Sequence, residues 1–378
     1  MGIRQARIAV VGGGISGLAT AYKEKKKGND VTLFEAASCV GGKIGTIYTE
    51  GFELDLGPIT ITETPSLMRL IAELDLEIVE ASNATRVRYI YSRKKLHRVG
   101  PNILTGSLLS ARGKLSMLKA PFSSKPKKDE TVAMYARRRF GKQAYQRLFN
   151  PLMNGIYAGN SELISARVIT KKQGPRKIIS FRGGMKKLTE ALADKLGDSI
   201  QRNSTITDFT NFDKVCFATP AFVTAELIRH LNRDLADTLK GIHYSSVSQI
   251  FCEVIPGETK FDGFGFLVPS EERMSLLGAV CVSNIFPSKA PDGKMLFVLF
   301  CGGDRPYSFT PSVEGAVNEF GDILQPALTK VLHVQSYDQG IPQFYVGHDE
   351  IVEKLAAFDP NFAFCGNYIS GVAIGDCV

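Results

Sequence analysis

The chain contains no tryptophan and only five histidines among its 378 residues. It has no run approaching 18 uninterrupted apolar residues, which excludes an apolar helix long enough to cross a bilayer. Its seven cysteines form no CxxC and no metal-like pairing, so the sequence points to no metal site. Most of them sit in apolar strands (Cys216 in KVCFATP, Cys252 in IFCEV, Cys301 in LFCGG). Buried core thiols are expected there, and a reducing cytoplasm fits that usage. The opening MGIRQARIAVVGGG is not expected to be a secretory leader, because its apolar run is short and dissolves into glycines.

Acids are scarce in one region. Residues 81–190 hold 25 Lys and Arg but four acids (Asp129, Glu130, Glu162, Glu190), a net of +21 against +8 for the whole chain, which leaves −13 for the remainder. Lysine and arginine are usually solvated, but a block this lopsided predicts an anionic partner. With no nucleic-acid module and no tryptophan, a polycarboxylate ligand or a membrane surface is expected rather than nucleic acid.

The whole chain is 44% hydrophobic and 22% charged, an ordinary globular composition with ample core for two domains or one with an insertion. RIAVVG (7–12) reads as a short buried strand, GGGISGLATAY opens a helix, and DVTLFEA (30–36) is a second strand, together a βαβ unit. Helical periodicity returns at Leu67, Leu70, Ile71 and Leu74, over 129–149 behind a candidate cap at Asp129, along Met185, Leu188, Leu192 and Leu196, and over 313–332. Residues 245–301 are β-like, and the tail FAFCGNYISGVAIGDCV reads as a strand followed by two glycine turns. The expected fold is α/β: a Rossmann-like domain built from discontinuous segments (1–80, 180–225 and 335–378), a basic helical insertion (81–180), and a β-rich, mixed α+β substrate domain (226–334).

Gly12-x-Gly14-x-x-Gly17 follows a strand, opens a helix, and is followed by Glu35 at the end of the next strand. Each glycine then has a reason: a tight turn, backbone approach to a pyrophosphate, and helix–strand packing. The pyrophosphate would lie on the helix N-terminus, with Glu35 accepting ribose hydroxyls and repelling a 2′-phosphate. A second glycine turn, GGKIGT (41–46), carries the cation Lys43, and GFELDLGP (51–58) follows. A nicotinamide enzyme needs neither, whereas amine-oxidase-like flavoproteins carry such a loop.

Eight collinear blocks sharpen that likeness. They include RYIY…KLH…GP (88–101), DETVAMYARRRFGKQAYQRLFNPLMNGIYAGNSELIS (129–165), FRGGMKKLTEAL, GFGFLVPS, FPSKAPDGKMLFVLFCGG, IPQFYVGH and GNYISGVAIGDC. Nearly end to end, the chain resembles the protoporphyrinogen/coproporphyrinogen oxidases of haem synthesis, within the amine-oxidase-like flavoproteins. The resemblance implies an FAD enzyme that oxidises protoporphyrinogen IX, with coproporphyrinogen III as the alternative substrate and molecular oxygen as acceptor. It implies cofactor contacts at Gly12, Gly13, Gly14, Ile15, Ser16, Gly17, Glu35, Ala36, Lys43, Gly57, Pro58, Ile206, Gly366, Asn367, Val372, Ala373 and Ile374. Arg88 matches a propionate-binding arginine, and Leu267, Val280 and Phe300 match positions lining the ring pocket. No side-chain acid or base is assigned; His97 and His348 are expected to be structural. The basic block would draw in the propionates and hold the protein peripherally on the inner face of the cell membrane, with a haem-pathway enzyme or a second copy as further partners.

Three departures accompany the resemblance. The stretch between Ile206 and Phe217 is short, Ile59 and Thr60 replace a basic residue and glycine, and Glu24 stands where a leucine is usual. The tail also stops where a further helix is expected. A second reading of another class is therefore a weakly active FAD-fold protein acting as a binding or structural partner.

Overall fold

The computed structural model describes residues 5–100, 103–118, 120, 124–169, 177–258 and 261–378. In chain order the strands are β1 (Arg7–Val11), β2 (Asp30–Phe34), β3 (Gly45–Thr49), β4 (Phe52–Leu56), β5 (Ile61–Thr62), β6 (Ile78–Glu80), β7 (Arg88–Ser92), β8 (Lys95–Val99) and β9 (Ile178–Phe181). There follow β10 (Ile200–Gln201), β11 (Lys214–Phe217), β12 (Tyr244–Ile255), β13 (Gly265–Leu267), β14 (Leu276–Cys281), β15 (Met295–Gly302), β16 (Leu328–Pro342) and β17 (Phe362–Phe364).

In β1, RIAVV, every residue after Arg7 is buried, as a strand covered on both faces requires. It is the centre of a parallel sheet ordered β10-β2-β1-β11-β17. Ile8 and Val10 face a core shared with Leu18 of the Ile15–Lys26 helix and with Leu188, Leu192 and Leu196 of the Lys186–Leu196 helix. Ala9 and Val11 face the opposite core, built with Phe217 and the helices Ala221–Ile228 and Arg233–Lys240. Register decides where the chain emerges. Val11 pairs with Phe34 and with Phe217, and Phe217 with Phe364. Gly12, Glu35, Ala218 and Cys365 therefore all leave the sheet along one carboxyl edge.

The second sheet has seven strands, ordered β16-β12-β15-β14-β13-β7-β8, antiparallel except where β7 meets β13. Its alternation is strict across β12 and β15. Ile250, Cys252, Phe297 and Leu299 pack on Phe320 of the Val313–Leu324 helix. Phe251, Leu296 and Val298 pack on Phe52 and Leu54 of the β3–β4 hairpin, which lies between the two sheets.

Several expectations shift. The helix over 132–140 is capped by Thr131, whose Oγ1 accepts from the Met134 N–H at 3.2 Å, rather than by Asp129. The expected helix over 313–332 stops at Leu324, and β16 begins at Leu328. The boundaries move accordingly. β7 and β8, expected in the basic insertion, complete the second sheet; β16 extends that sheet to Pro342; and helix Arg233–Lys240 packs on the parallel sheet. Backbone pairing between strands more than 150 residues apart outweighs the local charge bias that suggested a separate unit. Glu24 accepts from Lys27 Nζ (2.7 Å) and Asn29 Nδ2 (2.8 Å), while Leu18 and Ala21 carry the helix's packing. Cys216, Cys252 and Cys301 are buried free thiols, whereas Cys39 is exposed.

Candidate functional site

A cavity of about 810 Å³ opens at the carboxyl edge of the parallel sheet and runs to the face of the second sheet, at the upper end of the range for ligand sites. Its first half is backbone. Gly12 (φ +106) donates to Phe34 O at 2.8 Å, and a Cβ there would stand 2.9 Å from Thr219 Cγ2. Gly14 precedes the Ile15–Lys26 helix with no side-chain cap and no acid in the first turn, so the amides there remain available to an anion. The second glycine turn lies on the first. Gly41 N donates to Gly13 O at 2.8 Å, and a Cβ on Gly42 would stand 3.2 Å from Gly14 Cα. A side chain at Gly14 would meet nothing within 4 Å: that open space is where a phosphate can approach the main chain.

Glu35 is held by two backbone bonds. Oε2 accepts from Gly13 N at 2.7 Å and Oε1 from Ala37 N at 2.8 Å. A carboxylate has further lone pairs, so ribose hydroxyls can still be received. Glu35 and Lys43 are the only charged side chains lining the cavity among the described residues, and they sit on separate loops. Lys43 has no carboxylate partner there; its Nζ donates to Gln339 O (2.7 Å) and Gly340 O (2.5 Å) and lies over the rings of Tyr244 and Tyr337. Burial pushes this ammonium down to about 8 and both tyrosines up to about 12, at Tyr244 against the opposing effect of the Ala221 N–H that its hydroxyl accepts.

The expected cofactor residues come together. Gly12, Gly13, Gly14, Ile15, Ser16, Glu35, Ala36, Lys43, Gly57, Pro58, Ile206, Gly366, Asn367, Val372, Ala373 and Ile374 all line the cavity. Gly17 does not; it lies beneath Gly12 on the helix side. Ile59 and Thr60 also line it. The set fits a dinucleotide: a carboxylate at one end, uncapped helix amides in the middle, and an apolar region beyond.

That apolar region is where the second sheet arrives. Of the four residues expected on the substrate side, Phe300 lines the cavity, and Arg88, Leu267 and Val280 do not. They nevertheless share its face of the sheet in two rows. Arg88, Gly265 and Val280 are paired in register across β7, β13 and β14, and Leu267, Gly278 and Phe300 across β13, β14 and β15. Each row has a glycine in the middle, where a Cβ would run into the adjacent strand: 2.2 Å from Ala279 O at Gly265 and 2.5 Å from Phe266 O at Gly278. Leu267 is covered by the Asn150–Tyr157 helix, where a Cβ on Gly155 would stand 2.5 Å from its Cδ2. Arg88 is exposed, lies over the Phe264 ring at 4.9 Å, and has no carboxylate partner among the described residues.

Sequence reasoning missed Gln249, Tyr244 and Tyr337, and the wall formed by Asn154, Gly155 and Ile156. Gly155 alone left a signal, since a glycine inside a helical pattern marks a close approach. His97 bonds Ser107 Oγ and Ser92 O, and His348 bonds Tyr368 O, both away from the cavity. The basic block is also less bare than its composition: Arg147, Arg167, Lys128, Lys177 and Arg182 pair with Glu271, Asp349, Glu350, Glu80 and Glu77 from outside its densest part.

A profile of the family described as flavin containing amine oxidoreductase matches residues 15–378. The chain is 26% identical to protoporphyrinogen oxidase 1, chloroplastic, of Arabidopsis thaliana, over 98% of this chain and 85% of that protein. It is 25% identical to coproporphyrinogen III oxidase of Bacillus subtilis (strain 168), over 98% and 95%. Its fold is similar to that of a solved protein from Exiguobacterium sp. 255-15, with a TM-score of 0.79 and 22% identity over 100% of this chain and 97% of the other.

Proposed function

We infer the reaction from one premise: the chain belongs to the flavin containing amine oxidoreductase family, is an FAD-dependent oxidoreductase, and takes FAD as its cofactor. We propose that it oxidises a porphyrinogen to the conjugated porphyrin in haem synthesis, with molecular oxygen as the final acceptor. The supporting observation is the cavity that joins the paired glycine turns to the Phe300 face, with Arg88, which has no carboxylate partner among the described residues, on the same face of the sheet. Two relatives that the chain matches over 98% of its length are named for porphyrinogens.

Bound FAD supplies the two-electron acceptor. The chain's own residues do the rest. Gly12–Ser16 and Glu35 would hold the dinucleotide, Gly57–Pro58 and Val372–Ile374 would line the rest of its site, and the apolar Phe300 face would receive a flat macrocycle. Arg88 takes a propionate by a charge-assisted bond. Aromatisation of the product drives the reaction, and no side chain is assigned as base.

Protoporphyrinogen IX is the preferred substrate in this reading. Lys43 is the one cation lining the cavity among the described residues, and Phe300, Leu277 and Ile156 are apolar. Four propionates would leave carboxylates beside apolar walls, whereas two can both point to the mouth. Peripheral attachment to anionic membrane is proposed through the Ala111–Met117 helix, where Leu115 is 63% exposed beside Arg112 and Lys114. No helix among the described residues is long and apolar enough to cross a membrane.

The test is anaerobic. FAD-loaded protein is mixed with each porphyrinogen and bleaching of the flavin bands is followed. Faster bleaching by protoporphyrinogen IX is expected; preference for coproporphyrinogen III would reverse the substrate assignment. Flavin bands that neither compound bleaches would favour the non-catalytic reading.

A further inference from the structure

Gln249 stands on β12 with 2% exposure, at the register position between Phe300 on β15 and Gln335 on β16. Its amide makes a reciprocal pair with one residue of the cofactor side. Nε2 donates to Gly57 O at 2.7 Å, and Oε1 accepts from Gly57 N at 2.7 Å. A side chain thus imitates a strand, satisfying both backbone groups of a residue 192 positions away. Gly57 has no slack of its own: its φ is +75, and a Cβ on it would overlap the Lys43 carbonyl oxygen. A two-bond pair of this kind fixes both distance and angle, which a single bond does not. Gly57, Gln249 and Phe300 all line the cavity.

We propose that Gln249 is a positioning residue: it ties the Gly57–Pro58 loop to the substrate-side sheet and so sets the spacing between bound cofactor and the Phe300 face. The proposal rests on the reading that cofactor and substrate share this cavity. Its chemistry is specific to an amide. Methionine fills the same volume but leaves the Gly57 N–H and carbonyl unpaired in a buried place. Glutamate, when ionised, still accepts from the N–H but sets a negative oxygen against the carbonyl. Protonated glutamate restores both bonds, and the unfavourable contact raises its pKa.

The experiment uses full-length, FAD-loaded wild type, Gln249→Met and Gln249→Glu. It measures the FAD dissociation constant, the visible circular dichroism of bound FAD across pH, and kcat and KM for the porphyrinogen. Gln249→Met should hold FAD within about threefold of wild type yet show an altered dichroism. Its kcat should fall about tenfold to a hundredfold, with KM little changed, as expected when reacting partners are displaced by about 1 Å. Gln249→Glu should match wild type at the acid end and move toward Gln249→Met as the new carboxyl ionises. Lys43, Tyr244 and Tyr337 titrate in all three proteins, so a transition present in Gln249→Glu alone belongs to the introduced group. Wild-type dichroism and kcat in both variants would overturn the proposal. So would parallel loss of FAD and thermal stability with no recovery of Gln249→Glu at low pH, which marks a merely structural contact. If wild type turns over no porphyrinogen, the functional reading fails separately, and the dichroism comparison still decides the role of Gln249.

Discussion

Gly17 lies so close beneath Gly12 that a side-chain carbon on it would overlap the Gly12 carbonyl oxygen, and would stand 3.2 Å from Ala218 Cβ as well. The helix that opens the cofactor site is therefore seated on the strand by the absence of one methyl group. Gly14, which borders the cavity, has the opposite surroundings, with nothing within 4 Å of such a carbon.

The two glycines should separate folding from binding. Gly17→Ala overpacks a buried contact and is expected to cost ~1–3 kcal/mol of stability, seen as a lower midpoint in urea for the FAD-free protein. Gly14→Ala has an ordinary extended φ of −72 and should unfold near the wild-type midpoint. Its methyl group projects into the open space before the helix amides, so FAD affinity measured by fluorescence titration should drop.

Lys43 predicts a pH dependence with a definite sign. Its folded pKa, about 8, lies below the ordinary lysine value of 10.5. Between those values the unfolded chain binds more protons, so stability of the FAD-free protein rises with pH across that window. The rise should reach ~1–3 kcal/mol and should be missing in Lys43→Met, as denaturation at pH 7, 9 and 10.5 will show. FAD affinity should run the other way and weaken above pH 8, because the anionic cofactor favours the ammonium.

Arg88→Ala tests the substrate side alone. Because the residue as a whole is exposed, the arginine's contact with a propionate belongs at the weak end of charge-assisted bonds, about 1.4 kcal/mol. KM for the porphyrinogen should rise about tenfold while the flavin spectrum is unchanged. A changed spectrum would remove Arg88 from the substrate role.

Lys289 is 3% exposed and bonded to Asp55, with Glu53 at 3.0 Å. Asp55 in turn accepts from Met185 N (2.8 Å) and Thr46 Oγ1 (2.7 Å), joining the β3–β4 hairpin to the Lys186–Leu196 helix. Lys289→Met leaves the buried Asp55 and the half-buried Glu53 without their cation and should cost ~3–5 kcal/mol. Thermal unfolding checks it: an unchanged Tm would show that the hairpin is held without the Lys289 ion pairs.

The sequence by itself determined the cofactor half of this protein. Gly12, Gly14, Gly17 and Glu35 lie within 24 residues, and a strand–turn–helix–strand of that length can close in few ways, so spacing alone specified the turn, the helix start and the carboxylate. The apolar stripe Met185, Leu188, Leu192 and Leu196 was legible for the same reason, since helical period is a local property; all four are fully buried.

Only the tertiary structure decided the rest. Arg88 and Val280 fall in one row, either side of Gly265, because β7 pairs with β13 and β13 with β14, a register set by packing rather than by nearby residues. Gln249 reads in the sequence as one more polar residue in an alternating strand, and nothing near it announces Gly57 as its partner. The basic block's charge is partly cancelled by acids such as Glu271 and Asp349, which lie more than 100 residues away. Local geometry is written in consecutive residues, but the meeting of two sheets depends on side chains that touch only after both have folded.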